Sequence, residues 1–449
     1  MIYSLNTAEE LTEKIICEIV RQHYDCDLPR LNKLKNYYEG KNEITHRVMK
    51  DPTKPNNKVS NPYASYITDT LTGYFIGEPI TYNSQEEEVL NELNLIFEYN
   101  DEADENTELA KNASIYGVSY EYLYVQDNMI RFKIFDTREI IAIYDKTVEH
   151  NLVAVIRCYD DYDWAEGKNV SIVEVITDKE VIRYKTNDVK SSLTLLGSYP
   201  HYFGMVPVAV YYNNEEALGD FERVIPLIDA YDCMESDTLN DFEYFTDCYL
   251  CLYGFSADKE DIIQMKENRV LLMDEGTNAE WLTKDINDTY TENMKNRLDN
   301  DIHKFAKCPN MSDEAFASNA SGIAIKFKTM GTENLVAIKE RKFKRGLQMR
   351  LELIANIKGL MTDGFDWRAI EMNFTRNIPT NLVDIADVVN KLSGIVSDET
   401  LLAQVPFVED VQVEIERLDK EKEKNPLLQG ALSYNTTAMM REQEEEKEN

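Results

Sequence analysis

The sequence predicts an α+β protein that is mainly helical, on three observations. Ile323 to Met361 runs without proline and carries Phe327, Met330, Leu335, Ile338, Phe343, Leu347, Leu351, Ile354 and Ile357 at spacings of three to five. That is the stripe of one long amphipathic helix. Other helical patterns flank a block, Val118 to Tyr212, in which short apolar runs and alternation read as strands. Hydrophobic content of 43% and charge of 29% over 449 residues are those of a folded chain with room for several cores.

At the N-terminus Thr7 and Glu10 match a capping box that opens a helix through about Tyr24. A second helix, Arg30 to Glu39, ends at Gly40, and the linker from Lys41 to Val59 holds Pro52, Pro55, Asn56 and Asn57. Ser60 is the expected cap of a third helix, with Pro62 in its first turn and Tyr63, Ile67, Leu71 and Tyr74 as its apolar stripe. Gly77 and Pro79 stop it, and its aromatics fit core packing better than base stacking. Helices over 85–98 and 101–116 follow. Past Gly117, strands over 118–125, 129–135, 140–144, 152–159, 170–176, 180–185 and 206–212 predict a mostly antiparallel sheet module.

Gly219 to about Tyr249 reads as a long helix with Phe221, Val224, Leu227, Ile228, Tyr231, Met234 and Leu239 on one side. Its other side carries Asp220, Glu222, Asp229, Asp232, Glu235, Asp237, Asp241 and Glu243, an acidic face. Tyr290 to Ala306 predicts another helix, with Met294, Leu298, Ile302 and Phe305. Between the two, residues 255–288 hold a short helix and strand-like runs at 270–273 and 280–282. After the long helix come a strand-like 366–374 and helices over 382–392, 397–404 and 410–423. Arg441 to Asn449 is a charge run in what should be a disordered acidic tail, 431–449.

No phosphate-binding G-x-x-x-x-G-K-[ST], no G-x-S-x-G elbow and no H-E-x-x-H occurs. The five histidines are scattered, and seven cysteines make no disulfide framework. Cys248 and Cys251 should lie one turn apart on a helix as buried thiols. Asp160, Asp161 and Asp163 should form a solvated loop, and Glu86 to Glu88 the acidic first turn of a helix. No active site, metal or cofactor is assigned. There is no secretory signal and no apolar run near the ~20 residues that span a bilayer. A soluble, intracellular chain without membrane contact is expected.

Two blocks carry a resemblance. One is Pro309-Asn310-Met311-Ser312-Asp313-Glu314-x-Phe316-x-x-Asn319-x-Ser321-Gly322-x-Ala324-x-Lys326-Phe327-Lys328, followed by Glu333-Asn334-Leu335. The other is Tyr37-Tyr38-x-Gly40, Asn56-Asn57-Lys58-Val59, Asn61-Pro62-Tyr63 and Gly73-Tyr74-Phe75-x-Gly77-x-Pro79-Ile80. Together they resemble the portal proteins of tailed phages that infect Gram-positive hosts. The resemblance implies a non-enzymatic homo-oligomeric ring, usually a dodecamer, at one capsid vertex of the virion, assembled in the host cytoplasm. Double-stranded DNA would pass through it non-specifically in packaging and ejection. The terminase large subunit, a head-tail adaptor protein, and the major capsid and scaffold proteins are the implied partners.

The same resemblance implies a portal fold with an α/β wing, a helical stem, a small α/β clip and a helical crown. The boundaries are 1–218 for the N-terminal segment and wing, 219–250 for a stem helix, 251–288 for the clip and 289–308 for a second stem helix. Residues 309–320 form the tunnel loop, 321–376 a long helix kinked at Gly331 with its return to the wing, and 377–430 the crown. Pro309, Asn310, Met311, Ser312, Asp313, Glu314, Phe316 and Asn319 are the expected channel residues, of which Met311, Ser312 and Phe316 approach DNA. Val270, Leu272 and Trp281 are the clip candidates for terminase or adaptor docking.

Charge adds one more expectation. The chain carries a net −34, which argues against a free-standing nucleic-acid binder but suits a conduit whose acidic wall repels the duplex. Ala320 to Met361 runs the other way, with nine basic and three acidic residues, 9 − 3 = +6. Either an acidic neighbour in the assembly or a phosphate backbone would balance it, and both stay open. Lys326, Lys328, Lys339 and Arg341 are the basic candidates for the channel or for subunit contacts. The competing functions are a metal-dependent nuclease of the packaging machinery built on the acidic clusters, and a capsid or adaptor protein without a channel.

Overall fold

The computed structural model describes residues 3–52, 54–164, 167–186, 192–245, 249–253, 258–260, 262–263, 278–282, 288–311, 322–361, 364–376, 382–402, 405, 408 and 411–424. The chain divides into two units, Met1–Asn377 and Ile378–Asn449. Both helices and sheets build the first; the second has helices α9 (Leu382–Leu392), α10 (Asp398–Leu402) and α11 (Val411–Lys424). This is α+β architecture, as the sequence predicts.

In the first unit, strand β1 (Tyr3–Ser4) precedes α1 (Glu13–Gln22), which passes through a π-helical turn at His23–Asp27 into α2 (Leu28–Tyr38). The expected capping box does not form. Thr7 caps nothing, and the Glu10 carboxylate takes the backbone N–H and side-chain amide of Asn6 at 3.2 and 2.7 Å. Gly40, at φ 73°, ends α2 by a turn that a side chain would strain. Ser60 is not a cap either. Its hydroxyl donates to the Gly40 carbonyl at 2.6 Å, and α3 (Tyr63–Ile76) starts after Pro62. Then come β2 (Thr81–Asn83), α4 (Glu87–Tyr99) and α5 (Glu102–Tyr116).

Strands β3 (Val118–Gln126), β4 (Met129–Phe135), β5 (Ile140–Tyr144), β6 (Leu152–Asp163), β7 (Lys168–Ile176), β8 (Glu180–Thr186), β9 (Thr194–Pro200) and β10 (Val208–Tyr212) follow. They form a six-stranded sheet, β1-β5-β6-β7-β8-β9, antiparallel but for the β1/β5 pair, and a three-stranded antiparallel sheet, β10-β3-β4. Sequence pattern missed β9 because all seven of its residues are exposed, which leaves no alternation to read. Asp160, Asp161 and Asp163 belong to β6 rather than to a loop, paired in register with Ser171, Val170 and Lys168 of β7.

The segment from Gly219 begins with a 3-10 turn, Glu222–Val224, and only then α6 (Ile225–Phe245). The aromatic and β-prone Tyr249–Tyr253 is strand β11, paired antiparallel with β12 (Asn278–Leu282). Cys251 therefore sits on a strand opposite Glu280, not on a helix; Cys248 lies outside the described residues. Helix α7 (Asp288–Ala306) and the 40-residue α8 (Gly322–Met361) precede β13 (Glu371–Asn373), which pairs with β2. Helical structure in α8 is unbroken through Gly331.

Helix α8 organises the main core. Val336, Phe343, Leu347, Leu351, Ile354 and Ile357 are buried with Phe75, Leu109, Leu123 and Tyr211, each such side chain contributing about 1.5–3 kcal/mol. Phe343 meets Phe75 edge-on at 5.5 Å and Tyr211 at 4.8 Å. Gly346 leaves the room in which the Tyr211 ring lies. Met330 and Ile338, counted in the expected stripe, are 56% and 44% exposed. Near them the inward face is Thr332, Val336 and Lys339, because an ion pair, described below, turns that part of the helix inward.

Candidate functional site

The candidate channel loop leaves α7 at Lys307, and its first residues are held firmly. The Tyr66 hydroxyl of α3 donates to the Pro309 carbonyl at 3.1 Å and accepts the Met311 N–H at 2.9 Å. Between those two points the Asn310 side chain donates to Asp299 at 3.1 Å, and the other oxygen of Asp299 takes the Tyr63 hydroxyl at 2.7 Å. His303 stands beside them, with Nε2 3.5 Å from Asp299, Nδ1 3.2 Å from the Cys308 carbonyl, and its ring edge-on to Tyr66 at 5.4 Å. Burial and the Asp299 carboxylate raise the Tyr63 phenol well above its ordinary value, and burial pushes the Cys308 thiol up to about 12. Thr332 of α8 donates to the Lys307 carbonyl at 2.7 Å, so the far side of the loop is tied to the same place.

Pro309, Asn310 and Met311 are thus located; Ser312, Asp313, Glu314, Phe316 and Asn319 lie outside the described residues. Of the basic candidates, Arg341 is exposed on α8, and Lys326 and Lys328 belong to α8 with side chains that are not described. Lys339 is a different case. It is 3% exposed, and its ammonium sits on Asp220, which also accepts from Ser114 at 2.5 Å and Asn213 at 2.9 Å. A lysine so placed is an interior ion pair of its own chain rather than an open wall residue. Three more of the nine cations also pair within their own chain: Lys342 with Glu215 and Lys358 with Glu92 at 3.0 Å, both at the surface, and the buried Arg350 with two glutamates. For these four the acidic neighbour is the observed partner.

The Arg350 cluster escaped the sequence reading. Its guanidinium reaches Glu121 with two bonds of 2.8 Å, Glu102 at 3.0 Å and Asn106 at 2.8 Å, while Tyr211 donates to Glu121 and Tyr82 to Glu102. The available signal was one cation inside an apolar stripe, between Leu347 and Ile354.

Several acids of α6 and of the 3-10 turn before it are also engaged inside the chain. Glu222 holds Arg30 through two bonds of 2.6 Å, Asp229 accepts from Tyr37 at 2.5 Å, Glu235 pairs with Lys295 at 3.1 Å and Asp237 with Arg47 at 2.7 Å. Asp232 is wholly buried under the linker, with the Asn42 amide 2.6 Å away. Burial raises its pKa from the ordinary aspartate value despite the amides it accepts from. The linker lies along the helix in register: the backbone N–H groups of Asn57, Val59 and Asn61 donate to Asn240, Ser236 and Asp232 at 2.7, 3.0 and 2.9 Å. Two residues of extended chain span ~6.6 Å and four residues of helix ~6.0 Å, so the steps match. The stretch of α6 from Asp232 to Asn240 is thus a rail for the linker, while Asp237, Asp241 and Glu243 are exposed on the same helix.

Among the described residues no three of His, Cys, Asp and Glu are grouped to hold a metal ion. Asp160 accepts from Ser171 at 2.7 Å and Asp163 pairs with Lys185 at 2.5 Å. Trp281 is on β12 opposite Leu250, whereas Val270 and Leu272 lie outside the described residues. No helix among the described residues is long and apolar enough to cross a membrane.

Residues 18–426 match the family model described as phage portal protein, SPP1 Gp6-like. The portal protein of Bacillus phage SPP1 is 26% identical over 440 residues, covering 92% of this chain and 84% of that protein. The portal protein of Clostridium phage phiCD119 is 26% identical over 444 residues, covering 91% and 96%. A solved structure described as the neck of an empty GTA particle overlaps 77% of this chain and 90% of its own at TM-score 0.47 and 11% identity, too distant to argue from.

Proposed function

Because the chain belongs to the phage portal protein family, SPP1 Gp6-like, it is a portal protein, and we propose that its copies close into a ring, a dodecamer, at one vertex of the capsid. Double-stranded DNA enters and leaves through the ring, while the terminase large subunit and later a head-tail adaptor dock on it. The observation that carries this is a family match running from residue 18 to 426 without regard to element type, through helices, sheets and loop alike. On this reading α6 and α7 are the stem, β11 and β12 belong to the clip, residues 309–320 are the tunnel loop and residues 377–430 are the crown.

The channel is passive and hydrolyses nothing. Each Lys or Arg that meets a phosphate releases counterions and adds affinity, so a wall rich in free cations would stall the duplex. Four of the nine cations of the long-helix segment are withdrawn onto carboxylates of their own chain. Asp229, Asp232 and Glu235 of α6 are engaged within the chain, so repulsion comes from the exposed Asp237, Asp241 and Glu243 together with the surplus of the whole chain, −34. Electron microscopy and native mass spectrometry of the purified protein should give single rings with a central hole and one multiple of the chain mass. Linear duplex DNA incubated with them and Mg2+ or Mn2+ should stay intact. A monomer at every concentration, in particles as well as outside them, overturns the reading; cut DNA would turn it toward the nuclease.

A further inference from the structure

Residues beyond the end of a helix need no tyrosine to stop the helix, and α7 has already closed before Tyr66 acts. Lys307 adopts φ 55°, and the Cys308 N–H returns to the His303 carbonyl at 3.1 Å, which caps the helix by itself. The Tyr66 hydroxyl works further on, bridging the groups on either side of Asn310, the carbonyl before it and the N–H after it. Asn310 is also gripped through its own side chain by Asp299. Its backbone is therefore fixed from both ends, while Met311, one residue later, is 57% exposed. The ring that presents the hydroxyl is set in turn by His303, whose two nitrogens face Asp299 and the Cys308 carbonyl.

We propose that Tyr66 is a positioning residue for the channel loop: the hydroxyl that bridges Pro309 and Met311 fixes the direction in which the loop leaves the body of the protein. The inference rests on reading residues 309–320 as the tunnel loop. Tyr66 lies three residues after the Asn61-Pro62-Tyr63 block, and Pro309 opens the other. The bridge is what joins the two.

Tyr66→Phe keeps the ring and its contact with His303 and removes only the hydroxyl. A hydrogen bond is worth about 0.5–1.5 kcal/mol, so hydrogen exchange at the Met311 amide should rise about two- to tenfold. Ring mass and unfolding midpoint should stay unchanged. In a packaging reaction the variant should fill fewer heads, or lose more DNA from filled ones, at equal numbers of assembled shells. Tyr63→Phe, which leaves the bridge in place, should not raise Met311 exchange. Unchanged Met311 exchange in Tyr66→Phe overturns the proposal, and so does a loss of ring assembly as large as the loss of packaging, which marks a structural role. Wild-type protein that forms no ring would instead overturn the portal reading, and the exchange measurement would still judge the bridge.

Discussion

Arg350 shows how much one side chain can hold. It is 1% exposed and lies over the Phe132 ring at 4.6 Å, with carboxylates from α5 and β3 as its partners. Such a pair adds little net stability over an apolar substitute, but removing one member leaves the other charges buried and unpaired, at a cost of about 3–5 kcal/mol. Arg350→Leu should lower the unfolding free energy by that amount, read as a lower urea midpoint at unchanged slope, since among the described residues Glu102 and Glu121 pair with no other cation. Only half of this was legible. An arginine between Leu347 and Ile354 stands out in an apolar stripe. Glu121, however, sits in a strand whose alternation says nothing about which face is covered, and its partner is 229 residues away in sequence. Nothing local marks a contact at that range.

The elements were more legible than their surroundings. Nearly every long helix and most strands of the first unit follow from period alone, because packing decides those positions and leaves its spacing in the sequence. Caps and ends failed where a side chain found a better partner elsewhere, as Ser60 did with Gly40. What Asp229 and Asp232 of α6 bind was not legible for a related reason. A polar stripe at helical spacing looks the same whether it faces water or the chain's own linker. Asp232→Ala should strip the acceptor from Asn42 and from the Asn61 amide groups, costing about 1–3 kcal/mol. Limited proteolysis should then cut within residues 47–60 faster, with the sheets still protected.

At the scale of the molecule, charge and pH connect. Burial, the larger effect, lowers the pKa of His23 and of His201 below the ordinary histidine value, although each nitrogen facing a backbone carbonyl works the other way. The sign follows from linkage. A base whose pKa is lower in the folded state takes up protons more readily unfolded, so the stability tied to its neutral form is complete above ~6.5 and drains away as pH falls toward the folded value. The thermal midpoint should therefore drop between pH 7.5 and 5.5, and a His23→Gln, His201→Gln double variant should flatten that slope. A midpoint independent of pH in the parent would remove both histidines from the account. None of this could be read from composition, which gives five histidines and no burial.

The match between the linker and α6 carries one more consequence. Loops of such polar composition usually tolerate extra or missing residues, because chain closure costs little. Here the N–H groups of 57, 59 and 61 meet acceptors spaced one helical turn apart. A single residue added or removed between them would put the donors on the two sides of the change out of step with one another, so this stretch is locked in length as a strand within a sheet is.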